Sequence, residues 1–177
     1  MILEGYGVKL YRLTEEKIEL LRRWRNDPKI QQYMGYREHI TSEMQKAWFE
    51  RINNDNNYYF IIEYEGKEIG CINIKDIDYV KKTGEPGIFI WDDEYLNTDV
   101  PIRASFCQDD FIWNILKLDS LHIHVLKSNV RAVNLNLFWG YRLLPNQDEL
   151  ELQEYVLTRD DAINNSKKNR LRRVLLK

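Results

Sequence analysis

The chain has 177 residues, 44 % of them hydrophobic, with 5 Trp, 11 Tyr and 6 Phe. That is material for one well-filled domain and too little chain for two. A net charge of −2 supplies no global field toward nucleic acid, and no apolar run approaches the ~20 residues of a membrane span.

The opening stretch MILEGYGVKLYRL alternates and carries charges, unlike the apolar core of a signal peptide, so a cytoplasmic setting is expected. Val8, Leu10 and residues 11–13 read as a first strand. Thr14 is placed to cap a helix, with Glu15 and Glu16 in its first turn. Ile18, Leu20, Leu21 and Trp24 then recur at helical spacing, and Pro28 predicts a stop near Asn26. A second helix is expected after Thr41 or Ser42, burying Met44, Ala47, Trp48 and Ile52. His39, in the loop before it, reads as an exposed histidine or a base.

Residues 58–64 form an apolar, β-favouring run. Glu65-Gly66-Lys67 predicts a hairpin turn into a partner over 68–77, and Lys81 to Gly84 a second turn into a strand over 85–91. Pro101 suits the first turn of a helix reaching about Lys117. A strand over 121–126 and a helix over 130–139 follow, with Gly140 fitted to a left-handed cap. Residues 141–144 and 150–157 close as an antiparallel pair. Cys71 and Cys107 sit in apolar contexts, as small core residues. His122 and His124 alternate on one strand face without a third ligand at metal spacing; groove or core imidazoles are expected, and no metal. A basic tail over 167–177, KKNRLRRVLLK, follows a domain over 1–166. It reads as a solvated helix, a frayed end, or a patch for an anion such as coenzyme phosphate or RNA.

A meander followed by β-α-β-α-β predicts an α/β (α+β) domain, a mixed sheet with helices on both faces and right-handed crossovers. Within that order, LRRWRN (21–26), KAWFERI (46–52), FIIEYEGKEIGCINI (60–74), GIFI (87–90) and LHIHVLKSNVRAVNLNLFWGYRLL (121–144) resemble the GNAT superfamily of N-acetyltransferases. The nearest branch holds the ribosomal-protein N-terminal acetylases and the amino-sugar N-acetyltransferases. The resemblance covers nearly the whole chain, to about Arg159.

It implies a sheet of about seven strands that splays between the fourth and fifth. The pantetheine arm of acetyl-CoA, the acetyl donor, would lie in that gap against the backbone of Ile88, Phe89 and Ile90. Glu85 matches a general base that deprotonates the amine. Asn129 matches the asparagine that opens the last long helix. Asn136 stands where a tyrosine general acid is usual and cannot supply that proton. Trp24, Arg25, Asn26 and Trp48 would shape the acceptor side.

One departure from the family pattern is large. Its Gly-rich pyrophosphate loop corresponds to Tyr95-Leu96-Asn97-Thr98-Asp99-Val100-Pro101, which has no glycine and adds a carboxylate. Coenzyme binding there would fall to Thr98, the amides near Asp99 and Val100, and Arg103. The alternative is a catalytically degenerate module that binds a ligand or a partner. The acceptors implied are a small-molecule amine, an amino-sugar nucleotide first, or a protein N-terminus; membrane and nucleic acid are not expected as partners, and a homodimer is compatible.

Overall fold

The computed structural model describes residues 1–176. Eight strands form one sheet in the order β1-β2-β3-β4-β5-β6-β8-β7, one more than the sequence suggests. The extra strand comes from the opening segment. β1 (Ile2–Gly5) and β2 (Val8–Arg12) are a hairpin turned at Tyr6-Gly7, with φ of 55° and 78°. Two consecutive positive φ values make the turn whose twist matches antiparallel strands. Gly5-Tyr6-Gly7 was its signal.

α1 (Ile18–Arg25) follows a 3-10 turn over Glu15–Lys17, and the Thr14 carbonyl, not its hydroxyl, closes that turn. Asp27 caps a short α2 (Pro28–Gln31) by accepting from the Lys29 amide at 2.9 Å. Thr41 caps α3 (Ser42–Ile52). The buried stripe of α3 is Gln45 and Phe49, with Trp48 and Ile52 half-buried, while Met44 and Ala47 face out. The helix is rotated from the expected stripe because Gln45 reaches inward, donating to the Ile18 carbonyl and accepting from Arg25.

β3 (Tyr58–Tyr64), β4 (Lys67–Asp78) and β5 (Thr83–Ile90) are the predicted antiparallel meander. α4 (Val100–Asp110) continues into a π-helical turn, Phe111–Leu116, ended by Lys117 at φ 54°. β6 (Ser120–Leu126), α5 (Val130–Trp139), β7 (Arg142–Leu143) and β8 (Leu152–Thr158) complete the sheet. Gly140 caps α5 at φ 102°, a conformation that glycine adopts without steric cost.

Alternation along the strands sorts the core into two layers. Phe60, Ile62, Ile72, Ile74, Leu121 and Ile123 meet α4 and α5 on one face. Ile61, Cys71 and Trp91 meet α1 and α3 on the other.

The basic segment is neither frayed nor free. After α6 (Arg159–Asn164) it forms α7 (Ser166–Leu175). Lys168 is only 2 % exposed, and its Nζ lies 2.9 Å from Asp109 Oδ2. The Trp139 indole donates to the same oxygen at 3.1 Å, and Arg172 pairs with Asp110 and Tyr6. These two cations are spent inside the fold. Burial pushes the Asp109 carboxyl up, and Lys168 opposes that shift. Lys168→Met therefore leaves a buried carboxylate without its counter-ion and should cost about 3–5 kcal/mol of unfolding free energy at neutral pH. The loss should shrink as pH falls toward the ordinary carboxylate range, because the folded carboxyl takes a proton before the unfolded one does. Denaturant melts of Lys168→Met and wild type at several pH values measure it.

Candidate active site

β5 and β6 run parallel and pair at two positions, Thr83↔Ser120 and Gly84↔Leu121. Beyond Gly84 they separate, and the β6-facing edge of Pro86, Gly87 and Ile88 has no strand beside it. β4 is bulged across from this point, between Lys75 and Asp78, with Asp76 at φ 53°. A bulge adds local twist, which helps to turn β5 away from β6.

The gap holds a narrow cavity of about 60 Å3, with Ile88, Leu121 and Ile123 from the strands and Gln108, Asn136 and Tyr141 from the α4 and α5 side. The Gln108 Nε2 is buried and has no hydrogen-bond partner, an unspent donor in the slot wall. Burial raises the Tyr141 phenol well above its ordinary pKa, with Asp109 and Glu85 adding to the shift.

The expected donor residues do not share one environment. Ile88 lines the slot, Phe89 projects through the sheet to the opposite face, and Ile90 is core. Asn129 caps α5, accepting from the Ala132 amide at 3.2 Å. Asn136 lines the slot while its amide donates to the Ala132 carbonyl. At the start of α4, Thr98 donates to the Tyr95 carbonyl and accepts from the Val100 amide, and Val100 itself is buried. Arg103 grips Asp99 at 2.8 and 3.0 Å and donates to the Tyr6 carbonyl. The carboxylate that seemed to oppose phosphate is thus neutralised within its own helix turn, and the arginine expected on phosphate is the group that neutralises it.

On the opposite face a larger pocket of about 420 Å3 opens between the sheet, α1, α3 and residues 34–36. Arg25, Trp48, Tyr59, Asn73, Lys75 and Phe89 are among its walls. Arg25 donates to Gln45 Oε1 at 3.1 Å and stacks its guanidinium 4.8 Å from the Trp48 ring centre. Burial lowers its pKa. Two of the residues expected on the acceptor side are not among these walls. Trp24 stacks on Trp91, rings 2° from parallel, and Asn26 exchanges two 2.8 Å hydrogen bonds with Ile40, pinning the loop that roofs the pocket.

Glu85 lies one residue past the last strand pairing, on the pocket face. Its Oε2 is 3.2 Å from Lys75 Nζ and its Oε1 is 3.3 Å from His124 Nδ1. His122 Nδ1 lies 3.2 Å from Glu154. Neither histidine is core; both lie on the sheet face away from Leu121 and Ile123, and none of His39, His122 and His124 is among the pocket residues. Among the described residues no group of three or more His, Cys, Asp or Glu is placed to hold a metal, and no helix is long and apolar enough to cross a membrane.

A parted parallel strand pair with a pocket behind it is the architecture that the sequence motifs imply, and a sequence model of the GNAT acetyltransferase domain matches residues 8–137. The chain belongs to the GNAT acetyltransferase family. The acetyltransferase PseH of Campylobacter jejuni is 29 % identical over 129 residues, 70 % of this chain and 75 % of that protein. The spermidine N(1)-acetyltransferase of Escherichia coli is 24 % identical over 140 residues, 77 % of this chain and 74 % of that one. Among solved structures, spermidine N-acetyltransferase from Vibrio cholerae in complex with CoA and spermine superposes with a TM-score of 0.77. It has 17 % identity, with 90 % of this chain and 100 % of that chain covered. The Campylobacter PseH crystal structure gives 0.64 at 19 % identity, covering 86 % and 99 %.

GNAT enzymes take their acyl group from acetyl-CoA, and the slot fits such an arm in kind: bare strand edge, apolar walls and one unsatisfied amide. The sequence reading missed Gln108, Tyr141 and Lys75. Lys75 was recoverable from the meander register, which sets it opposite Glu85. Gln108 carried no signal, since only the approach of α4 to the gap gives it a role.

Cys71 borders the larger pocket but is fully buried, and burial pushes its thiol up to about 12; Cys107 rises to about 11 for the same reason. The thiolate is the reactive form. Neither cysteine should react with a maleimide or disulfide reagent in the native enzyme at pH 7, and both should react after denaturation, as read by mass spectrometry.

Proposed function

We infer that this N-acetyltransferase acetylates the amino group of an anionic acceptor, an amino-sugar nucleotide in the first place. The carrying observation is Arg25. Its half-buried guanidinium has only a neutral amide and a ring as partners, and no carboxylate within ion-pair reach among the described residues. A desolvated cation without a counter-charge is costly unless an anion arrives to meet it. Arg51 also lines the pocket, where Lys75 is paired with Asp76, the one carboxylate among the walls, at 3.5 Å and with Glu85 at 3.2 Å. That balance favours a phosphate-bearing acceptor and repels a polyamine. Trp48, Tyr59 and Tyr36 offer aromatic faces for a sugar or base.

In this reading the acceptor fills the large pocket and passes its amine between β5 and β6. The thioester enters from the α4 side, its phosphates left at the mouth, so the acyl carbon sits near the closed end of the slot. The neutral amine attacks the carbonyl, a tetrahedral oxyanion forms, and the thiolate leaves. Glu85 belongs to the machinery that removes the amine proton. Two reactants held in one orientation by two faces of one strand supply the proximity term.

Thiol release from acetyl-CoA, measured with a UDP-linked amino sugar, with spermidine and with a short peptide, tests the assignment. Turnover of the nucleotide sugar with little of the others is the expected pattern. Spermidine as the preferred substrate would overturn it. Arg25→Gln should raise the acceptor KM about ten- to a hundredfold, the worth of a charge-assisted hydrogen bond, with kcat much less affected.

A further inference from the structure

We propose that the group accepting the amine proton is His124 Nε2, and that Glu85 is its positioning residue. The proposal rests on the acyl-transfer reading above and assigns the base within it. A base needs an uncommitted lone pair within reach of the substrate. Both oxygens of Glu85 are already held by a partner, with one acceptor site left on each: Lys75 Nζ lies 3.2 Å from Oε2 and His124 Nδ1 3.3 Å from Oε1. Its side chain is 23 % exposed, against 46 % for His124. The imidazole uses Nδ1 toward the carboxylate, and Nε2 has no partner among the described residues.

That arrangement fixes the tautomer. An ionised carboxylate can only accept, so Nδ1 carries the hydrogen and Nε2 the lone pair. The carboxylate also stabilises the imidazolium once it forms.

The placement follows from the sheet. Glu85 and His124 sit on strands that have just separated, Glu85 one residue beyond the last pairing and His124 three residues beyond its own. Their contact spans the gap on the acceptor face, while Ile88, Leu121 and Ile123 line the slot on the other. A base there faces the amine and not the thiol. The charged and titratable groups around His124 are Glu85 from β5, Lys75 behind it on β4, Glu154 opposite in register on β8, and His122 on its own strand. Glu154 is in contact with His122, so it is a neighbour of His124 and not its hydrogen-bond partner.

The step balances without a co-reactant. The amine nitrogen forms its bond to the acyl carbon, and the N–H proton passes to Nε2. The tetrahedral intermediate then collapses, expelling the thiolate. The imidazolium returns its proton to solvent or to the departing thiolate, and the resting tautomer is restored.

The experiment compares pH–rate profiles of the purified full chain with those of His124→Asn, Glu85→Gln and His122→Asn. It uses whichever amine the wild type turns over, so a wrong choice of acceptor changes the substrate and leaves this comparison intact. Asn keeps a donor toward Glu85 and removes the base. His124→Asn should lose about a hundredfold or more in kcat, the usual worth of a general base, with acceptor KM nearly unchanged. Its rate should climb with pH across the range where wild type levels off, and added imidazole should restore part of it. Glu85→Gln should lose less and keep a levelling profile displaced in pH. His122→Asn should resemble wild type. A His124→Asn enzyme with wild-type kcat and profile beside an inactive Glu85→Gln would overturn the proposal and return the base to Glu85. So would a His124→Asn enzyme that is slow, folded by circular dichroism and not rescued by imidazole.

Discussion

Everything that makes this fold an enzyme depends on two strands that start together and do not stay together. After Thr83↔Ser120 and Gly84↔Leu121, the β6-facing peptide groups of β5 lose their partner. Unpaired backbone inside a sheet is costly, and proteins keep it where something else supplies the missing bonds. The β4 bulge on one side and α4 and α5 beneath hold the breach open. An extended thioester arm can take the place of the absent strand.

The pleat then divides labour between two sides. Along β5, Glu85 and Phe89 turn toward α1 and α3, and Ile88 turns toward α4. In the proposed reading the side with the arginine and aromatic walls receives the amine, and the apolar side receives the acyl carrier. Neither substrate has to pass the other. The reactants meet only where the strands part, so the sheet acts both as wall and as window.

Much of this was legible in the residues. Apolar alternation and the two turn signals gave the meander, and Pro28, Pro101 and Gly140 marked helix boundaries as their restricted or permissive φ requires. The misses have physical causes. The first hairpin depended on a Gly5-Tyr6-Gly7 turn in a stretch where Ile2 and Leu3 are partly exposed and so give weak contrast. The α3 stripe turned because buried Gln45 finds two hydrogen-bond partners, which no hydrophobic pattern reports. Site residues were harder. Arg25 and Trp48 meet in one pocket, whereas Trp24 and Asn26 hold the scaffold around it. Asp99 opposes phosphate only until Arg103, one helical turn on, is set beside it. The pairing of Glu85 with His124 joins segments 39 positions apart and exists only once β5 and β6 are neighbours.

The ion pair between Lys168 and Asp109 has a consequence for how the molecule is made. Asp109 belongs to a helix that lines the slot between β5 and β6, yet its counter-charge is encoded 59 residues later. Ribosomes deliver chain from the N-terminus onward, so the sheet, the larger pocket and α4 emerge while that carboxylate has the Trp139 indole but no counter-charge. The ion pair beneath the slot is complete only after α7 has been translated and has docked. The charge balance of that wall is thus a property of nearly the whole polypeptide.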